Sequence, residues 1–247
     1  MIYITGDCHG EYRRFNRQVF PEQREMTRND YVMVCGDFGY WDTSKEQEWW
    51  RYWLSQRSFT LLWVDGNHEN YDMLAELPVE EWHGGNVQYI APNVIHLMRG
   101  QVYEIEGLKF FTFGGARSHD IQDGILDPEA PDFKEKYRKL IKARALFRVK
   151  HLSWWEEEMP DEAEFEEGRK NLARNDWQVD FIVTHCTASS TQAMFGTGLF
   201  QPDKLTAYLE EIKQTCQYRK WFFGHYHDNR NVTEKDIMLY EQIIRIH

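Results

Sequence analysis

Five times along this chain a short apolar run ends in a small residue followed by a side chain able to bind a metal: "GDCHG" (6–10), "GDFG" (36–39), "GNHE" (66–69), "VTHC" (183–186) and "GHYH" (224–227). The runs themselves, "MIYIT" (1–5), "DYVMVCG" (30–36), "FTLLWVDG" (59–66), "VDFIVTHC" (179–186) and "KWFFGHYH" (220–227), are apolar without strict alternation, as strands buried on both faces are. Helical patterns separate the first three, over "GEYRRFNRQVF" (10–20, stopped by Pro21) and "SKEQEWWRYWLSQR" (44–57). Strand, helix, strand, helix, strand in that order requires crossover connections and therefore parallel pairing. A parallel sheet puts the carboxyl ends of its strands along one edge, where α/β proteins hold their ligands. The pattern thus predicts that Asp7, His9, Asp37, Asn67, His68, His185, His225 and His227 share an edge.

Beyond Gly84-Gly85 the texture changes. Residues 93–115, "NVIHLMRGQVYEIEGLKFFTFGG", read as hairpins with turns at Arg99-Gly100 and Glu106-Gly107, and so as a second, antiparallel region of sheet. Residues 116–160 read as a surface insertion carrying the basic run 134–150, itself a surface helix. Helices are expected over 161–175 and 202–215. The fold class is α/β, two packed mixed sheets flanked by helices, in a single domain over 1–247.

Composition narrows the function. With 42% hydrophobic residues and 10 Trp the chain can build a sizeable core, which excludes a disordered chain. No apolar run approaches the ~18 residues that span a bilayer, and no export signal opens the chain. The four scattered cysteines, without C-x-x-C spacing, fit reduced thiols in the cytoplasm. A formal charge of −11 disfavours an open surface for long nucleic acid and points to a small phosphorylated molecule or a phosphopeptide, met by locally concentrated cations.

Singly, each motif has a plain reading: Gly6-Asp7 or Gly36-Asp37 as a turn, His185 as a core histidine. "GNHE" and "GHYH" say more, because alternate residues of an extended segment point the same way and His225 and His227 would grip one centre. Taken in order, the five motifs resemble the calcineurin-like metallophosphoesterase superfamily, over residues 6 to 227. The resemblance implies two metal ions, one held by Asp7, His9, Asp37 and His227, the other by Asp37, Asn67, His185 and His225, with Asp37 as the bridge. Mixed carboxylate, amide and imidazole donors suit Mn, Fe or Zn. It implies hydrolysis of a phosphoester by a hydroxide shared between the metals. Two divalent ions, two aspartates and that hydroxide leave roughly one positive charge for the anionic ester. His68, facing away from the metal that Asn67 binds, would contact substrate and protonate the leaving oxygen, and Glu69 would support ring orientation. Gly6 and Gly10 would let the chain turn tightly, and Cys8 would point into the core.

Protein serine/threonine phosphatases and diadenosine tetraphosphate hydrolases continue the second motif with an arginine that grips phosphate. Here it continues as "GDFGYWD" (36–42), without one. Tyr40 stands where purple acid phosphatases have a tyrosine ligand, but its aromatic context assigns it to packing. Arg117 and His119, after the strand ending at Gly115, are candidates for substrate contact at the rim, with Arg148 a weaker one. The competing functions are a nuclease of the same superfamily and a phosphatase-like scaffold without catalysis.

Overall fold

A computed structural model describes residues 1–196 and 200–247. The first sheet holds β1 (Ile2–Thr5), β2 (Tyr31–Val34), β3 (Thr60–Trp63), β4 (Val79–Trp82), β5 (Gly85–Ala91) and β6 (Val94–Leu97). The second holds β7 (Gln101–Ile105), β8 (Leu108–Phe113), β11 (Phe181–Thr184), β12 (Lys220–Phe223), β13 (Arg230–Asn231) and β14 (Asp236–Met238), while β9 (Ile125–Leu126) and β10 (Arg148–Val149) pair with each other. β15 (Ile244–Arg245) returns to edge the first sheet, whose order is β15-β1-β2-β3-β6-β5-β4; the second runs β13-β14-β12-β11-β8-β7. β1, β2, β3 and β6 run parallel, as do β8, β11, β12 and β14, and antiparallel strands close the margins. The expected class, two packed mixed sheets flanked by helices, is the one observed.

Strand periodicity explains the layering. Ile2 and Ile4 of β1 face the second sheet and pack with Met33, Leu62, Phe110, Val183 and Phe222. Tyr3, between them, faces outward with Val32, Val34, Leu61 and Trp63, and there Trp50 and Leu54 of α1 (Lys45–Ser55) cover the sheet. On the other side Phe111, Phe113, Ile182, Trp221 and Phe223 pack against Phe165 and Leu172 of α4 (Glu162–Arg174) and Leu205, Leu209 and Ile212 of α6 (Lys204–Thr215). Helix, sheet, sheet, helix follows because both faces of each sheet are apolar. Ser44, Asp161 and Asp203 cap these helices by accepting the amide of the third residue beyond. Two short helices, α2 (Tyr71–Ala75) and α5 (Ser189–Ala193), follow site loops, and α3 (Phe133–Ala143) lies outside with no buried residue.

Three sequence expectations change. The helix expected over 10–20 is a single 3-10 turn, Arg13–Phe15, and a second turn, Pro21–Arg24, begins at the proline expected to stop it. Asn16 takes an extended backbone and its Oδ1 accepts the amides of Gln18 and Val19 at 2.9 Å, so a side chain replaces the helical carbonyls there. The Glu106-Gly107 hairpin forms, both residues at positive φ, between β7 and β8. Arg99-Gly100 is not a hairpin: β6 belongs to the first sheet and β7 to the second, and the chain crosses between them because Arg99 turns inward to bond Asp65 at 2.6 and 2.8 Å. Finally, 116–160 is not all surface: Ser118 and Glu158 are buried and Arg148 approaches His68, whereas α3 buries no residue.

Candidate metal centre

The carboxyl ends of β1, β2 and β3 meet those of β11 and β12, so the seam between the two sheets collects the motif residues. His185 Nδ1 donates to the Cys35 carbonyl at 2.8 Å, and the His225 amide donates to both carboxylate oxygens of Asp7 at 3.0 and 3.1 Å. The first sheet thus receives ligand-type side chains from the second. Close approach demands glycine: a Cβ on Gly66 would stand 2.1 Å from Asp37 Oδ1, and one on Gly224 2.1 Å from Asp7 Oδ1. Gly6 is also a close-approach glycine, its Cβ position 2.1 Å from the Leu239 carbonyl oxygen, and the tight turn belongs to Gly10 at φ +74°.

Asp7, His9, Asp37 and His227 offer four donor atoms that all lie within 4.8 Å of one another. His227 Nε2 stands 3.2 Å from Asp7 Oδ2, and His9 lies 3.7 Å from each aspartate. Beside them His185 Nε2 lies 3.2 Å from both Asp37 Oδ1 and Asn67 Oδ1, with the His225 ring centroid 4.9 Å from that of His185. Asp37 therefore faces both groups. His225 and His227 do not act as alternate residues of a strand, since β12 ends at Phe223 and both have left-handed backbones at φ 69° and 52°. The turn sends His227 to Asp7 and His225 to His185, one to each group. His9 and Asp37, at φ 50° and 44°, share this costly backbone, which clusters where function requires it.

The charges explain what this geometry can hold. Asp7 and Asp37 are almost wholly buried, yet among the described residues their ion pairs are with imidazoles alone. Burial pushes the Asp37 carboxyl up, but His185 beside it overrides this and holds it well below the usual carboxylate range. Burial alone would make His185 hard to protonate, but Asp37 raises it to about 10. Burial, reinforced by His185, keeps His225 neutral, and burial also lowers His9. Ring nitrogens confront each other, His9 Nε2 with His227 Nε2 at 2.9 Å and His119 Nε2 with His225 Nε2 at 2.7 Å. Buried carboxylates without lysine or arginine, and imidazole lone pairs directed at common points, fit divalent metal ions.

His68 lies just outside this group. Its amide donates to Asp37 Oδ1 at 2.8 Å, its ring stands edge-on to His9 and Trp41, and its Nε2 is 3.4 Å from Arg148 Nη2. Burial lowers its proton affinity, Asp37 opposes and Arg148 assists. Glu69 does not orient a ring: it accepts the backbone amides of Phe38, Gly39 and Tyr40 at 2.7, 3.0 and 2.8 Å and so fixes the loop after Asp37. Tyr40 packs in the outer core, and Cys8 is buried as expected. His119 reaches His225, whereas Arg117 is exposed on the wall of a cavity of about 420 Å³ that it shares with Ser118, His119, Gln192, Asp203 and His225.

Sequence reasoning missed the support beneath Asn67. Its Nδ2 donates to Ser118 Oγ at 3.4 Å, and Glu158 accepts both the amide and the hydroxyl of Ser118, at 2.9 and 2.5 Å. Burial, resisted by the Ser118 hydrogen bonds, raises Glu158 to about 7. The other prop is the buried pair Asp65 and Arg99, whose guanidinium also donates to the Glu157 carbonyl at 2.7 Å. No motif spacing marks 158 or 99, because both act from connections between sheets.

Comparison with known proteins agrees with this geometry: residues 1–229 match the calcineurin-like phosphoesterase family. The chain belongs to that family. Metal-dependent phosphoester hydrolysis, the class expected from the five motifs, is the class of this family. Similar proteins include lariat debranching enzyme A of Xenopus laevis, 26% identical over 61% of this chain and 30% of that protein. The lariat debranching enzyme of Homo sapiens is 26% identical over 50% of this chain and 24% of its own length. That of Drosophila melanogaster is 24% identical over 92% and 42%. The chain spans between about a quarter and two-fifths of the length of these relatives. No helix among the described residues is long and apolar enough to cross a membrane.

Proposed function

We propose that this chain hydrolyses phosphoesters at a two-metal centre. The observation that carries the reading is the pair of buried carboxylates, Asp7 and Asp37, at the seam of the sheets, whose ion pairs among the described residues are with imidazoles alone. Asp7, His9, Asp37 and His227 would hold one metal, Asp37, Asn67, His185 and His225 the other, with manganese, iron or zinc suited to these donors. Bound there, the metals supply positive charge to the phosphoryl oxygens and acidify water for attack. Asp37 ties the two groups together and, through the His68 amide, sets the position of that ring. His68 hands a proton or hydrogen bond to the departing oxygen, from a ring whose proton affinity burial lowers. The four buried thiols support a reducing, cytoplasmic setting.

Two substrate classes remain in competition. A net charge of −11 supports a small phosphorylated molecule or a phosphopeptide. The names of the relatives support a lariat, opened at its branch, and remove the ground for setting nucleic acid aside on charge alone. Metal analysis of the purified protein, followed by hydrolysis of 4-nitrophenyl phosphate, bis(4-nitrophenyl) phosphate, a phosphopeptide and a branched lariat, tests both levels. Two metals per chain with turnover of an ester are expected, and the preferred substrate assigns the class. Two bound metals without turnover would leave a scaffold, and no metal would end the reading.

A further inference from the structure

The loop after Asp37 carries no cation to grip a phosphoryl group, and the structure shows where one enters instead. Arg14 is occupied: its guanidinium donates to Thr5 Oγ1 and to the carbonyls of Gly6, Asp7 and Tyr240. Arg148, the first residue of β10, differs. Its Nε and Nη2 donate to the two oxygens of Asp120, at 2.9 and 2.5 Å, which fixes the plane of the guanidinium. The same Nη2 lies 3.4 Å from His68 Nε2, while among the described residues Nη1 has only the Ser153 carbonyl, at 3.5 Å. An arginine has five N–H donors in a rigid fork, so the edge turned toward His68 keeps donors that no short hydrogen bond uses. The backbone beneath is held by the Arg148 amide on the Gly124 carbonyl and the Lys150 amide on that of Leu126.

We propose that Arg148, oriented by Asp120, is the phosphate-gripping cation of this site, delivered from the connection between α3 and α4 in place of the arginine absent after Asp37. The inference rests on the phosphoesterase reading. Beside His68 the fork can take two oxygens of one phosphoryl group, the geometry in which arginine binds such anions most firmly. The Asp120 carboxylate offsets the charge of Arg148 and acts by orienting the fork, while the metals supply the net positive charge that draws the anion.

The test measures binding of inorganic phosphate to the manganese-loaded protein by titration calorimetry, in the unaltered chain and in Arg148→Ala, Arg148→Lys and Asp120→Asn, beside turnover of phenyl and 4-nitrophenyl phosphoesters. Losing a charge-assisted pair should weaken phosphate roughly 10- to 100-fold in Arg148→Ala, with bound metal unchanged. Catalytic efficiency should fall by a similar factor for both leaving groups. Lysine, which keeps the charge without the fork, should recover part of the loss, and Asp120→Asn should show a smaller one. Unchanged phosphate affinity in Arg148→Ala, or a loss confined to the phenyl ester, would overturn the proposal, the second by showing that Arg148 acts only through His68. If the unaltered protein turns over no ester while its phosphate affinity still depends on Arg148, the phosphoesterase reading falls and the anion site stands.

Discussion

Metal binding should expel a proton from His185, and the number is set by its neighbours. Nδ1 meets the Cys35 carbonyl and Nε2 meets Asp37 Oδ1 and Asn67 Oδ1, all acceptors, so in the metal-free protein both nitrogens carry hydrogen. With the group raised to about 10, His185 holds its proton at pH 8. A metal at Nε2 must displace that proton. His9 and His225 are lowered by burial and arrive neutral, so at pH 8 the side chains should release about one proton per chain, from His185, beside any that metal-bound water gives up. His227, raised first by its hydrogen bond to Asp7 and further by Asp7's charge, adds a share that grows as pH falls. Proton competition at His185 should also hold the apparent affinity at pH 8 below its high-pH limit and let it rise as pH climbs toward about 10. Calorimetric titration of the metal-free protein with manganese, in buffers of differing ionisation enthalpy, counts the protons directly. His185→Asn should lower the count at pH 8 by about one. No release from the unaltered protein at pH 8, or the same release from the variant, would refute the assignment of His185 as a protonated ring awaiting a metal.

Asp37→Asn should cut turnover by well over ~10²-fold, more than the loss of a supporting partner outside the metal shell, and lower metal content at both positions; two tightly held metals with normal turnover would exclude Asp37 as the bridge. His68→Ala should slow phenyl or alkyl esters more than nitrophenyl esters, by a difference on the order of 10²-fold or less, while both metals remain, as rates across leaving groups and elemental analysis will show. Glu158 is raised from 4.5 to about 7 by burial, so the folded state holds its proton more tightly than the unfolded chain. Its contribution is therefore fully present below about pH 4.5 and is lost as pH rises to about 7, a loss of about 3 kcal/mol. Urea unfolding of Glu158→Gln against the unaltered chain should show the variant gaining relative stability across that window; a pH-independent difference would show Glu158 to be ionised throughout.

Much of this protein was legible in one dimension. Apolar runs without strict alternation imply strands buried on both faces, and helices between them imply parallel pairing, which by itself carries Asp7, Asp37, Asn67 and His185 to a common edge. Sequence spacing could name those residues because each sits within four positions of a strand end. Tertiary structure decided what depends on distant partners. A left-handed turn, stabilised where the His225 amide meets Asp7, divides His225 from His227 although their spacing implied a single grip. Arg99 left the hairpin that its glycine neighbour advertised because a buried carboxylate 34 residues earlier needed its charge. Glu158 and Arg148 entered the site from segments without periodicity, since a hydrogen bond across 40 residues to Ser118, or an approach across 80 to His68, leaves no local pattern. Strand formation and edge placement are local and periodic properties, so the amino-acid order determines them alone; the pairing of buried charges is long-range, and only the folded chain brings the partners close enough to choose.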